Sequence, residues 1–318
     1  MRSKLTIIIP MYNASLYLKQ TIDSIKNQNY RDFTAIILDD CSSDDSYRLC
    51  KELIDGDIRF EIFRNQNNQG YLHSTNILLS LVKSEYCAFW DADDTGSEDR
   101  LLKQVYFLDN NSNIDLVGSY ANLIDSNSKL IRKVKYPSQI TIDNFNVCGS
   151  SVMFRTNILR TIGLYNPLFS RMGSEDFEWL MRASLQFKYY CIPEYLYNYR
   201  RLTTSLTLNG SNSPSFLYSH HLVASLFRFL EGRLVNGYWD DESVQAFFTH
   251  ECKRLEMEEK LHPKGRLYQV LECHALEANV RSFYNELFHY LKRYYMKANL
   301  LSIIKYNVKL WLRVFSNV

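Results

Sequence analysis

The stretch Cys87–Asp94 (C-A-F-W-D-A-D-D) decides both the fold and the chemistry that this chain can support. Four apolar residues at strand spacing lead directly into three carboxylates. In extended backbone Asp91 and Asp93 lie on the same face, because strand side chains alternate. Carboxylates that meet at a strand end repel each other unless a cation joins them. The stretch therefore predicts a site for Mg²⁺ or Mn²⁺, held by one or two carboxylates together with the oxygens of a diphosphate.

A simpler interpretation of the same residues is a helix start. Asp93, Asp94 or Ser97 could cap the helix that the sequence predicts over Glu98–Leu108, since Asp and Ser both favour the N-cap position. The acidic stretch alone leaves both interpretations open. The rest of the chain has to decide between them.

The part of the chain before Cys87 alternates short apolar runs with amphipathic runs. The predicted strands are Leu5–Ile9, which closes at Pro10, then Phe33–Leu38, Phe60–Phe63 and Tyr86–Trp90. The predicted helices are one capped by Ser15, one over Tyr47–Ile54, and one that follows the loop Asn65–Gly70 and ends at Leu81. This order predicts an α/β fold in which helices flank a mostly parallel sheet.

In such sheets ligands bind beyond the carboxyl ends of the strands. The segments that follow the four predicted strands are Pro10–Asn13, Asp39–Asp40, Asn65–Gly70 and Asp91–Asp94. We therefore expect polar and acidic residues to gather at one edge of the sheet. The chain has no G-x-G-x-x-G after its first strand and no P-loop, so carboxylates and a metal ion would have to hold any nucleotide.

The pattern becomes less regular after Leu101. The predicted elements are a strand at Leu116–Ile124, a basic hairpin or loop at Ser126–Lys135, a strand at Val147–Phe154, and short strands at Tyr189–Ile192 and Tyr195–Tyr199. Between them, an amphipathic helix capped by Ser174 carries Glu175 and Asp176 in its first turn. A helix dipole favours negative charge at that position, which by itself accounts for the acidic pair.

The remaining third of the chain looks helical from Ser215 onward. A polar segment with Gly and Pro at 208–214 is the best boundary, so we predict a catalytic domain over residues 1–208 and a helical C-terminal appendage over 209–318. A chain of 318 residues with 46% hydrophobic content can hold one large domain and such an appendage.

Charge and cysteine content narrow the class of protein. A net charge of +2 gives no general case for nucleic-acid binding. Seven cysteines without a C-x-x-C pair indicate a reducing compartment. No run reaches the ~18 uncharged apolar residues of a membrane span, and the N-terminus does not resemble a signal peptide. We expect a cytoplasmic protein.

The final segment, residues 284–315, is basic and rich in apolar residues. From Arg281 onward the sequence contains seven Lys and Arg residues but only one acid, Glu286. Apolar residues recur at steps of three and four, which predicts a helix. That helix could pack on the catalytic domain, or it could lie on anionic lipid at the inner face of the cell membrane as a peripheral contact.

Five motifs together resemble the family 2 glycosyltransferases of the GT-A fold, which is Rossmann-like. They are Thr6–Asn13 (T-I-I-I-P-M-Y-N), Leu38–Ser46 (L-D-D-C-S-S-D-D-S), Phe89–Asp94 with Asp99–Leu101 (D-R-L), Gly149–Arg155 with Ile158–Tyr165, and Ser174–Arg182 (S-E-D-F-E-W-L-M-R). The resemblance covers roughly residues 4–206, in the order and at the spacing of the family. Each motif is weak alone, but five in register are specific.

The resemblance implies a role for each matching residue. Pro10, Tyr12 and Asn13 would line the base and ribose of a nucleotide-sugar donor. Asp40 would accept the ring N–H of the base, which favours a UDP-sugar. Asn76 would belong to the same nucleotide-sugar site.

The resemblance also assigns the acidic residues. Asp91 would lie near the ribose or the metal, and Asp93 would bind Mg²⁺ or Mn²⁺ on the donor diphosphate. Asp176 would be the general base that removes the proton of the acceptor hydroxyl, and Glu175 would orient the acceptor or share that task. The implied enzyme is an inverting hexosyl- or N-acetylhexosaminyltransferase. Its acceptor would be a glycan or lipid-linked molecule in surface polysaccharide biosynthesis.

Three positions depart from the family pattern. Cys41 replaces the glycine that usually follows the paired aspartates, and Thr75 replaces an arginine. Leu202 replaces a histidine that some members use near the metal, which leaves the third metal ligand open. The resemblance leaves three sources of positive charge for the diphosphate: Arg200, Arg201 and the basic loop 129–135. His73 is the only nearby substitute for the missing histidine.

Three alternative functions were weighed against this one. Asp91–Thr95 (D-A-D-D-T) also fits the nucleophile motif of haloacid-dehalogenase-type phosphatases, but those enzymes usually place it on the first strand. A catalytically degenerate transferase homologue that only binds a partner is a second alternative, given Thr75 and Leu202. An EF-hand at Asp39–Ser46 is excluded, because the glycine at its sixth position and the glutamate at its twelfth are missing.

Overall fold

The computed structural model describes residues 3–140, 146–166, 169–170, 173–184 and 186–202. The predicted helical appendage over 209–318, including the basic segment 284–315, lies outside these residues. Within them, no helix combines the length and the apolarity needed to cross a membrane.

The first half of the described chain forms the parallel part of the sheet. In chain order its elements are β1 (Leu5–Met11), α1 (Ser15–Lys26), β2 (Phe33–Asp39), α2 (Ser46–Ile54), β3 (Phe60–Arg64), α3 (Tyr71–Leu81) and β4 (Tyr86–Phe89). The strands lie side by side in the order β3-β2-β1-β4, and all three pairings are parallel. Ile7, Ile8 and Ile9 of β1 are fully buried, as expected of a strand covered on both faces.

The second half extends the sheet with strands of both directions. It contains β5 (Thr95–Gly96), α4 (Arg100–Asn110), β6 (Leu116–Ile124), β7 (Leu130–Val134), β8 (Met153–Arg155), α5 (Leu159–Ile162), α6 (Glu175–Ser184) and β9 (Tyr189–Arg200). The sheet continues from β4 as β8-β6-β9-β5, and β7 pairs with β6. Among these pairings only β6–β9 is parallel, so the sheet is mixed as a whole.

Two sequence predictions about the first half were wrong in detail. Pro10 does not end β1, which continues to Met11. The backbone of Ile8 faces β4 and accepts the N–H of Trp90, and Pro10, two residues later, faces the same side. Because β4 ends before it reaches Pro10, the N–H that proline lacks is not needed for strand pairing. Ser15 is the first residue of α1 and gives it no side-chain cap, whereas Ala14 occupies the N-cap position.

Two predictions about the second half also need correction. Val147–Phe154 is not a continuous strand, because a 3₁₀ turn at Gly149–Ser151 precedes β8. Tyr189–Ile192 and Tyr195–Tyr199 are parts of the single strand β9, whose pairing with β6 shifts register where Pro193 and Glu194 intervene. The segment 126–135, for which a basic hairpin or loop was expected, supplies β7, and β7 forms a hairpin with the preceding β6.

Candidate active site

The carboxyl ends of β1, β2 and β4 converge as the sequence predicts. The loop after β1 binds the loop after β2, since the N–H of Asn13 donates to Ser42 Oγ at 2.9 Å and Asn13 Oδ1 accepts the N–H of Ser43 at 2.9 Å. Tyr12 is half-exposed beside this contact. Asn13 and Cys41 both have positive φ angles, 49° and 60°. The polar edge is therefore made of turns with left-handed backbone.

Asp40 is buried and binds the loop that leads into α3. Its Oδ1 accepts hydrogen bonds from Asn65 Nδ2 at 2.8 Å and the N–H of Gln69 at 2.9 Å, and its Oδ2 accepts the N–H of Gly70 at 2.7 Å. A carboxylate has about four lone-pair directions, so three internal bonds leave room for one further donor. Asp40 thus holds this loop in place, and its predicted contact with a base stays a prediction.

The three aspartates after β4 occupy different environments. Asp91 accepts a hydrogen bond from Ser150 Oγ, and its backbone N–H donates to the Tyr197 hydroxyl at 3.2 Å. Burial and the charge of Asp93 raise the pKa of Asp91 to about 7. Asp94 is buried, and its Oδ1 accepts the N–H of Arg200 at 2.6 Å. Asp94 therefore fixes the end of β9. Burial and then the charges of Asp93 and Asp91 raise the pKa of Asp94 well above its usual range, so all three carboxylates repel one another.

Glu175 and Asp176 begin α6 and form the second acidic pair. Asp176 Oδ1 accepts the N–H of Phe177 at 2.7 Å, and burial raises its pKa. Burial and the charge of Asp176 raise the pKa of Glu175 to about 7. The charge of Asp176 also raises the pKa of Asp91, which places the two acidic pairs within electrostatic reach of each other.

Two tyrosines that the sequence did not point to, the buried Tyr165 and the partly exposed Tyr71, lie within electrostatic reach of these carboxylates. The pKa values of Tyr71 and Tyr165 are raised well above the usual range, first by burial and then by nearby charges that include Asp91 and Asp176. Tyr71 is the first residue of α3, directly after the loop that Asp40 holds. The position of Tyr71 after that loop is visible in the sequence, but its proximity to Asp176 depends on tertiary packing.

The structure gives Asn76 a contact that the sequence did not predict. Its Nδ2 donates to the carbonyl oxygen of Tyr165 at 2.8 Å, and its Oδ1 accepts the N–H of the same residue at 2.8 Å. Trp179 Nε1 donates to the carbonyl oxygen of Gly163 at 3.0 Å in the same segment. Asn76 thus holds Tyr165, and its role in nucleotide binding stays a prediction.

Arg200 is not available to a diphosphate, contrary to the sequence-based expectation. It is 1% exposed, and its guanidinium donates to the carbonyl oxygen of Asp93 at 2.8 Å, to Gln20 Oε1 at 2.7 Å, and to Ser128 Oγ and the carbonyl oxygen of Asp125 at 3.0 Å. Arg200 instead joins the acidic loop to α1 and to the β6–β7 hairpin. Such a role depends on three distant segments meeting, so no local pattern could show it.

The remaining residues at or near the departures from the family pattern differ in solvent exposure. Thr75 is fully buried on α3, so its side chain points into the protein. Arg201 is exposed, and the basic residues of β7 are exposed as well. His73 and Leu202 are partly exposed. Arg201 and the basic loop 129–135 therefore stay predictions as sources of positive charge.

The described residues contain no group of three or more His, Cys, Asp or Glu side chains that could enclose a metal ion. A pair of carboxylates nevertheless fits Mg²⁺ or Mn²⁺, because such an ion can take one or two protein carboxylates and complete its coordination with substrate phosphates and water. The repulsion that raises the pKa of Asp91 beside Asp93 is what a bound cation would relieve.

Sequence comparisons identify the family. The sequence profile described as "Glycosyl transferase family 2" matches residues 6–163. An uncharacterised glycosyltransferase of Methanocaldococcus jannaschii is 30% identical over 205 residues, which are 61% of this chain and 70% of the relative. The "Putative teichuronic acid biosynthesis glycosyltransferase TuaG" of Bacillus subtilis is 26% identical over 208 residues, 64% of this chain and 81% of the relative.

Solved structures share the fold. The crystal structure of S. aureus TarS 1-349 has a TM-score of 0.57 and 18% identity, with 70% of this chain and 65% of that chain covered. Its complex with UDP-GlcNAc has a TM-score of 0.59 and 16% identity, with 91% and 81% covered. These similarities establish a GT-A fold. Membership of a glycosyltransferase family excludes the haloacid-dehalogenase-type phosphatase that the motif Asp91–Thr95 also fits. This chain belongs to glycosyl transferase family 2 and is a glycosyltransferase.

Proposed function

We propose that this enzyme transfers a sugar from a UDP-sugar, with inversion at the anomeric carbon, to a hydroxyl group of a glycan or lipid-linked acceptor in surface polysaccharide biosynthesis. The observation that supports this best is the pair of acidic groups that face each other. Asp91 and Asp93 lie at the carboxyl edge of the parallel strands, and Glu175 and Asp176 begin a helix close enough for Asp176 to raise the pKa of Asp91. A donor diphosphate and an acceptor hydroxyl need two such groups.

On the donor side, Asp93 and Asp91 would hold Mg²⁺ or Mn²⁺ against the diphosphate. When bound, such an ion neutralises the charge that develops on the leaving nucleoside diphosphate. Ser150 keeps Asp91 in place through its hydroxyl hydrogen bond. Pro10, Tyr12, Asn13 and Asp40 would line the nucleotide.

On the acceptor side, Asp176 would accept the proton of the attacking hydroxyl, assisted by Glu175. Proton removal by a carboxylate in the transition state contributes about 10²–10⁴-fold to such reactions. The base must be ionised, and its raised pKa makes it a stronger proton acceptor than an ordinary exposed aspartate. A single displacement at the anomeric carbon, with the base and the diphosphate on opposite faces of the sugar, produces inversion.

The proposed substrates are supported by the relatives. A TarS structure in complex with UDP shares the fold, and so does the one with UDP-GlcNAc, which supports a UDP-sugar donor. Relatives named for teichuronic acid biosynthesis and as a teichoic acid poly(glycerol phosphate) polymerase support an acceptor in the cell surface. All five cysteines of the described residues are free, which supports a cytoplasmic location. Contact of residues 284–315 with anionic membrane stays a proposal.

Calorimetric titration tests the donor and the metal together. UDP and then GDP are titrated into the enzyme with and without Mn²⁺, and into Asp93→Ala under the same conditions. We expect UDP to bind in the presence of Mn²⁺ and this binding to be lost in Asp93→Ala. A matched control is Asp23→Asn, which removes an exposed carboxylate from α1. Absence of binding for both nucleotides would support the degenerate homologue instead.

A further inference from the structure

Helix α4 directs two fully buried polar side chains, Arg100 and Gln104, toward the sheet. Arg100 Nη2 donates to the main-chain carbonyl oxygens of Phe89 and Ser150, each at 2.9 Å, and Arg100 Nε donates to Gln104 Oε1 at 3.2 Å. Residues four apart are neighbours on a helix, so the two side chains act together. Arg100 thereby joins the end of β4 to the 3₁₀ turn at Gly149–Ser151.

Gln104 extends this connection to a third segment. Its Nε2 donates to the carbonyl oxygens of Ser151 at 2.8 Å and Val117 at 3.2 Å. The pair therefore binds four main-chain carbonyls in β4, β6 and the turn. We refer to Arg100 and Gln104 as the α4 clamp.

Two aromatic rings lie against the guanidinium of Arg100. The guanidinium carbon of Arg100 lies 4.4 Å from the ring centroid of Trp90 and 4.5 Å from that of Tyr197. Burial lowers the pKa of Arg100 to about 10, so the side chain stays charged at neutral pH. Lysine would keep that charge, but it has no planar guanidinium to contact both rings and donate in several fixed directions.

The turn that the α4 clamp holds touches both acidic pairs. Ser150 Oγ donates to the carboxylate of Asp91. Gly149 lies directly against Asp176, because a Cβ atom at this position would come within 2.8 Å of Asp176 Oδ2. A shift of the turn would therefore disturb the donor side and the base side at once.

We propose that Arg100 and Gln104 are positioning residues for sugar transfer, which hold the Gly149–Ser151 turn where it sets Asp91 and Asp176 relative to each other. The proposal rests on the roles proposed above for those two carboxylates. Neither clamp residue touches the reacting atoms. Misplacement by about 1 Å in such an arrangement can cost about 10²-fold in rate.

The matched control is Arg155, a second arginine that donates to main-chain carbonyls but at the opposite end of β4. Its guanidinium binds the carbonyl oxygens of Leu108 at 2.7 Å and Ile114 at 3.0 Å, and β8 places it beside Tyr86. Arg100→Lys and Arg155→Lys therefore make the same chemical change to similar bonds. Only Arg100 binds the turn that contacts Asp91 and Asp176, whereas Arg155 lies 3.9 Å from the carboxylate of Glu85.

A double-mutant cycle with Ser150→Ala shows whether Arg100 acts through the turn. Affinity for UDP in the presence of Mn²⁺ is measured by calorimetry, and kcat is measured on the same preparations. We expect Arg100→Lys to weaken affinity about 10-fold, as for other residues behind metal ligands, and to lower kcat by up to about 10². In the Ser150→Ala background the loss of affinity should be about twofold or less, because the connection to Asp91 is already broken.

Arg155→Lys should leave affinity and kcat within about twofold in both backgrounds. The proposal is overturned if Arg100→Lys behaves like the wild type, or if Arg155→Lys loses as much affinity and kcat as Arg100→Lys. Either result would mean that Arg100 does not position the two carboxylates.

Hydrogen exchange tests the clamp separately from the proposed function. The N–H groups of Ser151 and Val152 donate to carbonyl oxygens within the turn at 3.0 Å. Both amides should exchange at least about 10-fold faster in Arg100→Lys than in Arg155→Lys, since the turn loses its anchor. If the wild type binds no nucleotide, the proposed function fails, but the exchange rates still test whether the α4 clamp holds the turn. Unchanged exchange in Arg100→Lys would show that it does not and would overturn the proposal.

Discussion

The two acidic pairs of the site differ in what offsets their charge. Asp91 and Asp93 follow β4 on an irregular segment, where burial and mutual repulsion raise the pKa of Asp91 to about 7. Glu175 and Asp176 begin α6, where the N–H of Phe177 binds Asp176 and the helix dipole favours negative charge. Burial and a neighbouring carboxylate also raise the pKa of Glu175 to about 7, so the two pairs share this repulsion and differ in that only the second begins a helix. In the proposed function the first pair holds a cation, and the second pair accepts a proton.

The largest expected difference between the two acidic pairs is the effect of Asp176→Asn on kcat. Loss of the base should lower kcat by about 10²–10⁴. Binding of UDP with Mn²⁺ should change by about twofold or less, because the donor side keeps both of its carboxylates. Single-turnover transfer and calorimetry on the same preparation measure the two effects. Normal turnover would assign the base elsewhere, and loss of UDP binding would assign Asp176 to the donor site.

A smaller effect is expected on the pH dependence of kcat/KM, through the acidic pair Glu175 and Asp176. Burial and Asp176 raise the pKa of Glu175 from 4.5 to about 7, so kcat/KM should rise with pH through about 7 as the pair loses its proton. Glu175→Gln removes one of the two charges. Because it removes the group whose pKa is raised to about 7, the rise of kcat/KM near that pH should disappear from the profile, and an unchanged rise would assign it to another group.

The raised pKa of Glu175 also predicts how the stability of the protein changes with pH. A carboxyl group whose folded pKa is raised binds more protons in the folded than in the unfolded chain between pH 4.5 and about 7. The free energy of unfolding of the wild type should therefore fall relative to that of Glu175→Gln as pH rises through this range. Urea unfolding at pH 4.5 and at pH 8 checks it. An equal difference at both values would contradict the raised pKa.

The regular parts of the site could be predicted from sequence. The apolar run before Asp91 and the alternation of strands and helices place that residue at the carboxyl edge, and the structure confirms the position. The turn at Gly149–Ser151 was predicted as strand, since its apolar and small residues suit a buried strand equally well. Its conformation is set by Arg100 and Gln104, which lie about fifty residues earlier in the chain.

The roles of polar residues were harder to predict than their positions. Asn76 and Arg200 were both expected near the nucleotide, yet one binds the backbone of Tyr165 and the other joins three segments. A sequence motif shows that a polar residue is present, but its hydrogen-bond partners come from distant parts of the chain. The position of Asp91 just beyond a strand end could be predicted without knowing any such partner, and its role near the donor stays a proposal.

The smallest expected effect concerns the turn behind the donor side. Cys41 has a φ angle of 60°, and its Sγ donates to the carbonyl oxygen of Gln66 at 3.5 Å. Left-handed backbone costs a residue with a Cβ atom about 1–2 kcal/mol, whereas glycine adopts it freely but loses about 0.5–1 kcal/mol of chain entropy. Cys41→Gly should therefore raise the free energy of unfolding by about 0.5–1 kcal/mol.

Cys41→Ala is the matched control for this change, because it removes the thiol and keeps the Cβ atom. Urea unfolding of the three proteins should show a gain for glycine and none for alanine. Neither variant changes the acidic pair Glu175 and Asp176 at the start of α6, so the pH profile of kcat/KM should stay the same in both. Equal stability of the glycine and alanine variants would mean that the turn carries no backbone strain at Cys41, and that the cysteine fits this position as well as glycine does.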